Sequence, residues 1–235
     1  KRQLVNWCPV SKSAISDEEV IYQEKSGSLW HLRYPITDSD KYLVVATTRP
    51  ETMLGDTAVA VHPDDKRYKD FIGLTITLPL VGRKIPIIAD NFVDPEFGSG
   101  CVKVTPAHDP NDFSIGERHD LEFINIMNDD ASINLNAPIQ YQNLSREEAR
   151  KKVIEDFKSL GLVDKIEEHI NKVGFSERGQ VPIEFYMSEQ WFMKMSDLAG
   201  PALDAVSNGQ ITFHPKHWDK TYYHWMNNVK DWCIS

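Results

Sequence analysis

The chain has 235 residues, 41% of them hydrophobic and 26% charged, which is the balance of a globular protein and excludes a disordered or fibrous one. Lys and Arg number 26 against 35 Asp and Glu, a formal charge of −9. That deficit excludes a protein that grips nucleic acid through bulk charge, so any such contact has to be local.

Taken in chain order, residues 1–40 read as inbound strands and linker, 41–165 as a compact core, and 166–235 as a return segment. From 41 to about 127 the pattern is β-rich. Tyr42–Thr48 is a short β-branched run stopped by Arg49-Pro50, and Thr57–Val61 ends at His62-Pro63. Thr75–Leu80 alternates, Ile85–Ile88 follows a turn at Val81–Lys84, and Gly98-Ser99-Gly100 introduces Cys101–Thr105. Short strands with prolines confined to edges or bulges predict a compact barrel or sandwich, not a doubly wound sheet.

Asp109-Pro110 then reads as a helix start, with Asp109 as N-cap, Pro110 at the first helical position and Asp112 at the third. A second helix is predicted over 145–160. It is opened by a capping box of Ser145 and Glu148, stopped by Gly161, and carries Ala149, Val153, Phe157 and Leu160 as its apolar face. A shorter helix is expected over 197–207 before Asn208-Gly209, and a last one over about 221–232. Trp218, Trp225 and Trp232 recur every seven residues. At least Trp225 and Trp232 would then share a helix stripe, as ordinary core or as a docking surface. The fold class expected is α+β: a β-barrel-like core decorated by helices, with a helix-rich aromatic C-terminal segment.

Cys8, Cys101 and Cys233 are odd in number and widely spread, with no finger-type spacing, which indicates neither a disulfide framework nor structural zinc. No apolar run reaches the ~18 residues of a membrane span, and Lys1–Trp7 does not read as a signal peptide, so a cytoplasmic setting is the expectation. A chain that lacks an initial Met and stops at Asp231-Trp232-Cys233-Ile234-Ser235 reads as a piece of something longer.

The densest polar cluster is Lys103–Asp112. On a strand, Cys101, Lys103 and Thr105 share one face and the valines the other, so Lys103 and Thr105 project together beside the two carboxylates of Asp109 and Asp112. Helix capping alone would explain Asp-Pro-x-Asp. A strand lysine next to two carboxylates is costly in a core and sensible at a cleft. The second cluster is Ala46–Thr52, where Thr48 and Glu51 form another capping-box pattern and three hydroxyls and a guanidinium could hold a hydroxylated or phosphate-bearing ligand. His62, His108, Asp109, Asp112 and His119 are conceivable metal ligands, but no spacing pairs two imidazoles and Lys103 would repel a cation. No metal is expected.

Thr47–Pro63 resembles the threonine-rich motif of the editing domain inserted in class I aminoacyl-tRNA synthetases, and Gly98–Phe113 resembles that domain's second motif. Within the family the valyl branch is the nearest: isoleucyl sequences carry Trp-Thr in the first motif and Gly-His-Gly in the second, and leucyl sequences lack the Lys-Val-Thr of Lys103–Thr105. Asn6–Pro9 and Ala14–Val20 resemble the lead into the insertion. Val181–Glu184, Gln190–Phe192 and Asp231–Ser235 resemble its return to the catalytic domain. The resemblance implies hydrolysis of threonine wrongly esterified to the 3′ end of valine tRNA. It implies Asp112 as anchor of the α-ammonium, and Asp109, Thr105 and Lys103 for hydroxyl recognition and water placement. Arg49, Thr47, Thr48 and Phe97 match positions near the tRNA 3′ end, Phe97 able to stack on a base. Ser114 departs from the pattern, since valyl sequences often have Glu there. Editing itself would need no cofactor. ATP and magnesium would serve only a synthetic site in the parent's catalytic domain, the intramolecular partner. Lys194-Met195-Ser196 matches the start of an ATP-site motif without its following lysine. A non-catalytic docking insert and a metal-dependent hydrolase are the alternatives.

Overall fold

The computed structural model describes residues 1–234 and divides into two compact units. One spans Leu4–Met187, and the other joins Lys1–Gln3 to the segment from Ser188 onward.

In the larger unit, which holds β1 (Arg2–Cys8) from Leu4 onward, β1 pairs antiparallel with β2 (Ser13–Ala14). The long β3 (Val20–Pro35) is followed by β4 (Tyr42–Thr47), a 3-10 turn at Pro50–Gly55, and β5 (Ala58–Val61). Next come β6 (Thr75–Thr77), β7 (Lys84–Ala89), β8 (Cys101–Val104), α1 (Pro110–Arg118) and α2 (Arg146–Ser159), then β9 (Val163–Ser176) and β10 (Glu184–Glu189). Two sheets frame the core. One is antiparallel, ordered β4-β3-β9; the other is ordered β6-β7-β5-β8, with β5 and β7 parallel and the rest antiparallel. The expected α+β class holds, but the barrel does not. The strands form separate open sheets, since among the described residues β4 pairs only with β3 and β8 only with β5. Closure would need continuous pairing around a ring.

The sequence explains the layering. β5 is wholly apolar because it is covered on both faces. Val59 and Val61 enter the main core with Leu32, Tyr34, Val45, Ile87 and Phe157, while Ala58 and Ala60 face a smaller cluster with Val93, Val104 and Ile115 of α1. β8 lies beside β5 with Val59 opposite Lys103, which carries the lysine to the edge of the buried sheet. Helix α2 forms as predicted. Ser145 accepts from the Glu148 N–H, Glu148 returns a bond to Ser145 N–H, and Gly161 turns out at φ +68°. Its Ala149, Val153 and Phe157 are buried, and Phe157 stacks on Tyr34 at 6.4 Å, but Leu160, expected on the same face, is the C-cap residue and is exposed.

β3 and β9 pair over almost their whole lengths, from Val20↔Ser176 to Leu32↔Val163, as a two-stranded ribbon that hydropathy does not announce. Most of its outer half is exposed on both faces, so neither strand shows alternation. Gly27 lies on this ribbon opposite His169, and a Cβ there would come within 2.9 Å of the Asn171 amide.

In the smaller unit β11 (Phe192–Met193) pairs with β12 (Trp232–Cys233), and α3 (Met195–Ser207) packs on α4 (Trp218–Asn227), with Tyr222 OH donating to Ala202 O at 2.9 Å. The expected last helix is displaced: it starts three residues earlier and ends at Asn227, and Trp232 lies on β12 opposite Met193. Trp225 and Trp232 therefore share no helix stripe, and the core reading fails for all three tryptophans, which are 51%, 72% and 62% exposed. The return motif Asp231–Ser235 falls partly outside the described residues, at Ser235. Among the described residues, no helix is long and apolar enough to cross a membrane.

Candidate functional site

A cleft of about 530 Å³ opens in the larger unit where β4, β8, the start of α1 and the β3–β9 ribbon meet. All eight residues singled out from the sequence border it. Thr47, Thr48 and Arg49 come from the end of β4, Phe97 from the loop before β8, Lys103 and Thr105 from β8 and its exit, and Asp109 and Asp112 from the start of α1.

The floor of the cleft is a buried network centred on Asp56. Its Oδ1 accepts from Thr105 Oγ1 at 2.6 Å and from Lys103 Nζ at 3.2 Å, and its Oδ2 accepts from Tyr34 OH at 2.8 Å. Lys103 Nζ also donates to Thr105 Oγ1 at 2.5 Å. Burial pushes the Asp56 carboxyl upward, while Lys103 and the hydroxyl donors pull it back. The arrangement fixes directions. The Thr105 proton is committed to Asp56, so toward the cleft Thr105 offers only an acceptor. Two of the three Lys103 N–H donors are used among the described residues, leaving one. Val102 and Val104 pack on the smaller cluster, as the strand alternation predicts.

The wall is the N-terminus of α1. Asp109 caps it, its Oδ1 accepting from the N–H groups of Asn111 (2.8 Å) and Asp112 (3.1 Å). Asp112 accepts the Thr105 N–H on Oδ2 at 2.8 Å. Asp109 Oδ2 and Asp112 Oδ1 have no hydrogen-bond partner among the described residues. Burial raises the Asp112 carboxyl to about 7 against the pull of Lys103, with the charges of Asp109 and Asp56 adding to the rise. The cleft thus presents two carboxylate oxygens, one hydroxyl acceptor and one ammonium donor to a guest. That set matches a small molecule carrying both a cationic amine and a hydroxyl.

The turn after β4 departs from expectation. The predicted Thr48–Glu51 capping box does not form: the 3-10 turn starts without a side-chain cap, and Glu51 points to Arg150 and Arg49 instead. Thr47 Oγ1 accepts the Arg49 N–H at 3.0 Å, and Thr52 Oγ1 donates to Arg49 O at 2.9 Å. Burial works against the Arg49 charge, but Glu184 and Glu51 outweigh it and raise its pKa.

Sequence reasoning missed Asp56, Tyr34, His108 as a wall residue, Phe92, His169 and Asn171. Asp56 had a signal: it is the one acid between Thr52 and Val61, a run otherwise fit for a core. His169 and Asn171 had none, since β9 reads as a polar linker. His108 is buried and accepts the Ile126 N–H on Nε2 at 3.0 Å; burial, with Arg49 and Lys103 nearby, lowers it to about 3, so it stays neutral. Ser114, the departure from the family pattern, donates to Pro110 O at 3.2 Å. Among the described residues no three His, Cys, Asp or Glu side chains group as a metal site. His62 accepts from the Asp64 N–H, and His119 pairs with Asp90.

The model of the tRNA synthetases class I family (I, L, M and V) matches residues 1–235. The chain is 57% identical over 233 residues to a valine–tRNA ligase of Syntrophotalea carbinolica, covering 99% of this chain and 26% of that protein. It is 56% identical over 233 residues to one of Geobacillus stearothermophilus, with the same coverage. It is 53% identical over 234 residues to one of Thermotoga maritima, covering 100% of this chain and 27% of that protein. The chain spans about a quarter of the length of the curated relatives it matches.

Proposed function

Because the chain belongs to the class I tRNA synthetases (I, L, M and V), we propose that it is the editing segment of a valine–tRNA ligase and hydrolyses threonine wrongly esterified to valine tRNA. The observation that carries this reading is the convergence of Lys103, Thr105, Asp109 and Asp112 on one cleft with unspent hydrogen-bonding capacity.

The physical need is plain. Valine and threonine are nearly isosteric, so a hydrophobic synthetic pocket rejects the added hydroxyl weakly, and the valine enzyme is the standard illustration of that limit. A second site that hydrogen-bonds the hydroxyl selects threonine, because valine leaves buried polar groups unpaired. In this reading Asp112 Oδ1 takes the α-ammonium. The free Lys103 N–H donates to the threonine hydroxyl, whose own proton goes to Thr105 Oγ1, which leaves Asp109 Oδ2 for the water. Water held by the remaining carboxylate oxygen attacks the ester carbon. The carbon–oxygen bond to the ribose breaks; one proton of the water ends on the ribose oxygen and the other is released by the ionising carboxyl group of the freed threonine.

Thr47, Thr48, Arg49 and Phe97 border the same cleft and are assigned to the terminal nucleotide, the exposed Phe97 ring as a stacking surface. The reaction is proposed to need no metal, since the Lys103 ammonium supplies the positive charge. ATP and magnesium, like the catalytic domain and cytoplasmic location, belong to the proposed parent ligase. The test is a structure with a non-hydrolysable threonyl-adenosine analogue. The reading expects the amine at Asp112 and the hydroxyl at Lys103. An analogue seated outside this cleft, or reversed in it, overturns the assignment.

A further inference from the structure

Behind Arg49 lies a buried ion network that the chemistry above does not use. Glu51, fully buried, accepts from Arg150 Nε and NH2 at 2.8 Å each and from Arg49 Nε at 3.3 Å. Glu184, also buried, accepts from Arg49 and from Arg146 NH1, the latter at 2.7 Å. Arg146 and Arg150 stand one turn apart on α2. The exposed Glu147 flanks Arg146 on the solvent side. Three stretches far apart in sequence therefore meet to hold one guanidinium.

Such a network is a costly way to fill space, because well-packed apolar side chains avoid the desolvation of five charges. What it does is fix Arg49. Glu51, Glu184 and a long bond to His108 O at 3.5 Å occupy three of its five N–H donors, and among the described residues one N–H on each terminal nitrogen remains. Arg49 borders the cleft, and one unspent N–H on each terminal nitrogen is the pair a guanidinium uses to hold phosphate oxygens, with the side-chain ordering already spent before a ligand arrives.

We propose that Glu51 and Glu184 are positioning residues that orient Arg49 as a phosphate clamp for the ribose-phosphate chain entering the cleft. The proposal rests on reading the cleft as a tRNA 3′-end site.

The test uses a full-length valine–tRNA ligase carrying this chain in place of its own matching segment. Glu184→Gln should raise KM for threonyl-tRNA about tenfold, the worth of one charge-assisted contact, with kcat little changed. The log–log salt slope of binding should fall by about 1. Arg49→Lys, which keeps the charge and loses the fork, should raise KM to the same extent with a smaller change in salt slope, and the KM of the double variant should be no worse than that of either single. A KM and salt slope that stay put while thermal stability drops, or additive effects in the double variant, would overturn the proposal. Should Glu184→Gln not fold, Glu184→Asp replaces it in the same cycle with the same criteria. Anisotropy with a short single-stranded RNA of the tRNA 3′ sequence separates the two readings. If the wild-type chimera fails to deacylate yet binds this RNA with the same dependence on Arg49 and Glu184, the editing reading fails and the clamp stands. If it deacylates and both variants bind RNA like the wild type, the clamp alone fails.

Discussion

Lys103 Nζ stands 3.2 Å from Asp56 Oδ1, both side chains buried, with Thr105 Oγ1 bonded to each of them. The ammonium at the cleft floor is thus held from below by a carboxylate that itself never faces the guest, since Asp56 is 0% exposed. Asp56→Asn puts an amide where three donors converge. It should lower threonyl-tRNA deacylation at least tenfold and cost about 1–3 kcal/mol of stability for the unsatisfied buried donors. Deacylation kinetics and urea unfolding read the two effects. Activity within twofold of wild type would show that Lys103 needs no carboxylate support.

Asp109 has two tasks that substitution can separate. Asparagine caps helices as well as aspartate does, whereas alanine costs about 1 kcal/mol at such a position. Asp109→Asn should keep the melting temperature and lose most deacylation, and Asp109→Ala should lose both. An asparagine variant with full activity would reduce Asp109 to a cap.

The Asp112 carboxyl, raised to about 7 chiefly by burial, has to be ionised to hold an ammonium. KM for threonyl-tRNA should therefore rise as pH falls from 8 to 5, and Asp112→Asn should be weak and flat across that range. The linkage sign is opposite for stability. A group whose folded value lies above its unfolded one favours the fold below about 4, and that contribution is lost as pH climbs through 7. Asp112→Asn should accordingly raise the melting temperature at pH 8 by roughly 2–4 °C per kcal/mol relieved, and less at pH 5. Thermal melts at the two pH values check this. A variant less stable at pH 8 than at pH 5, relative to wild type, contradicts it.

Phe157 ties α2 to the sheet through Tyr34, the same tyrosine that donates to Asp56. Phe157→Ala should cost about 3–5 kcal/mol, as a fully buried ring does, and lower the urea midpoint with little change in slope. A loss below about 1 kcal/mol would mean that the site refills by collapse.

The elements legible in the sequence are those whose reasons are local. Ser145, Glu148 and Gly161 specify both ends of α2 without any help from the rest of the chain, and Asp109-Pro110 does so for the start of α1. Local patterns mislead where a distant partner outbids them. Glu51 abandons its capping pattern because Arg150, 99 residues away, offers a bidentate pair. Trp232 satisfies helical spacing yet pairs as a strand with Met193. The β3–β9 ribbon escapes notice because strands wet on both faces carry no alternation, and with it went His169 and Asn171. Asp56 carries no local sign of its task, since its meaning depends on Tyr34, Lys103 and Thr105 arriving from elsewhere.

The −9 charge of the chain is compatible with the proposed site, which would meet only the tip of a nucleic acid through local groups such as Arg49. The most direct measurement is hydrolysis of threonyl-tRNA against valyl-tRNA, both on valine tRNA, by the ligase chimera carrying this chain. The account predicts rapid release of threonine, slow release of valine, and loss of the difference in Lys103→Met. Equal hydrolysis of the two esters, or none of either with tRNA bound normally, would contradict it.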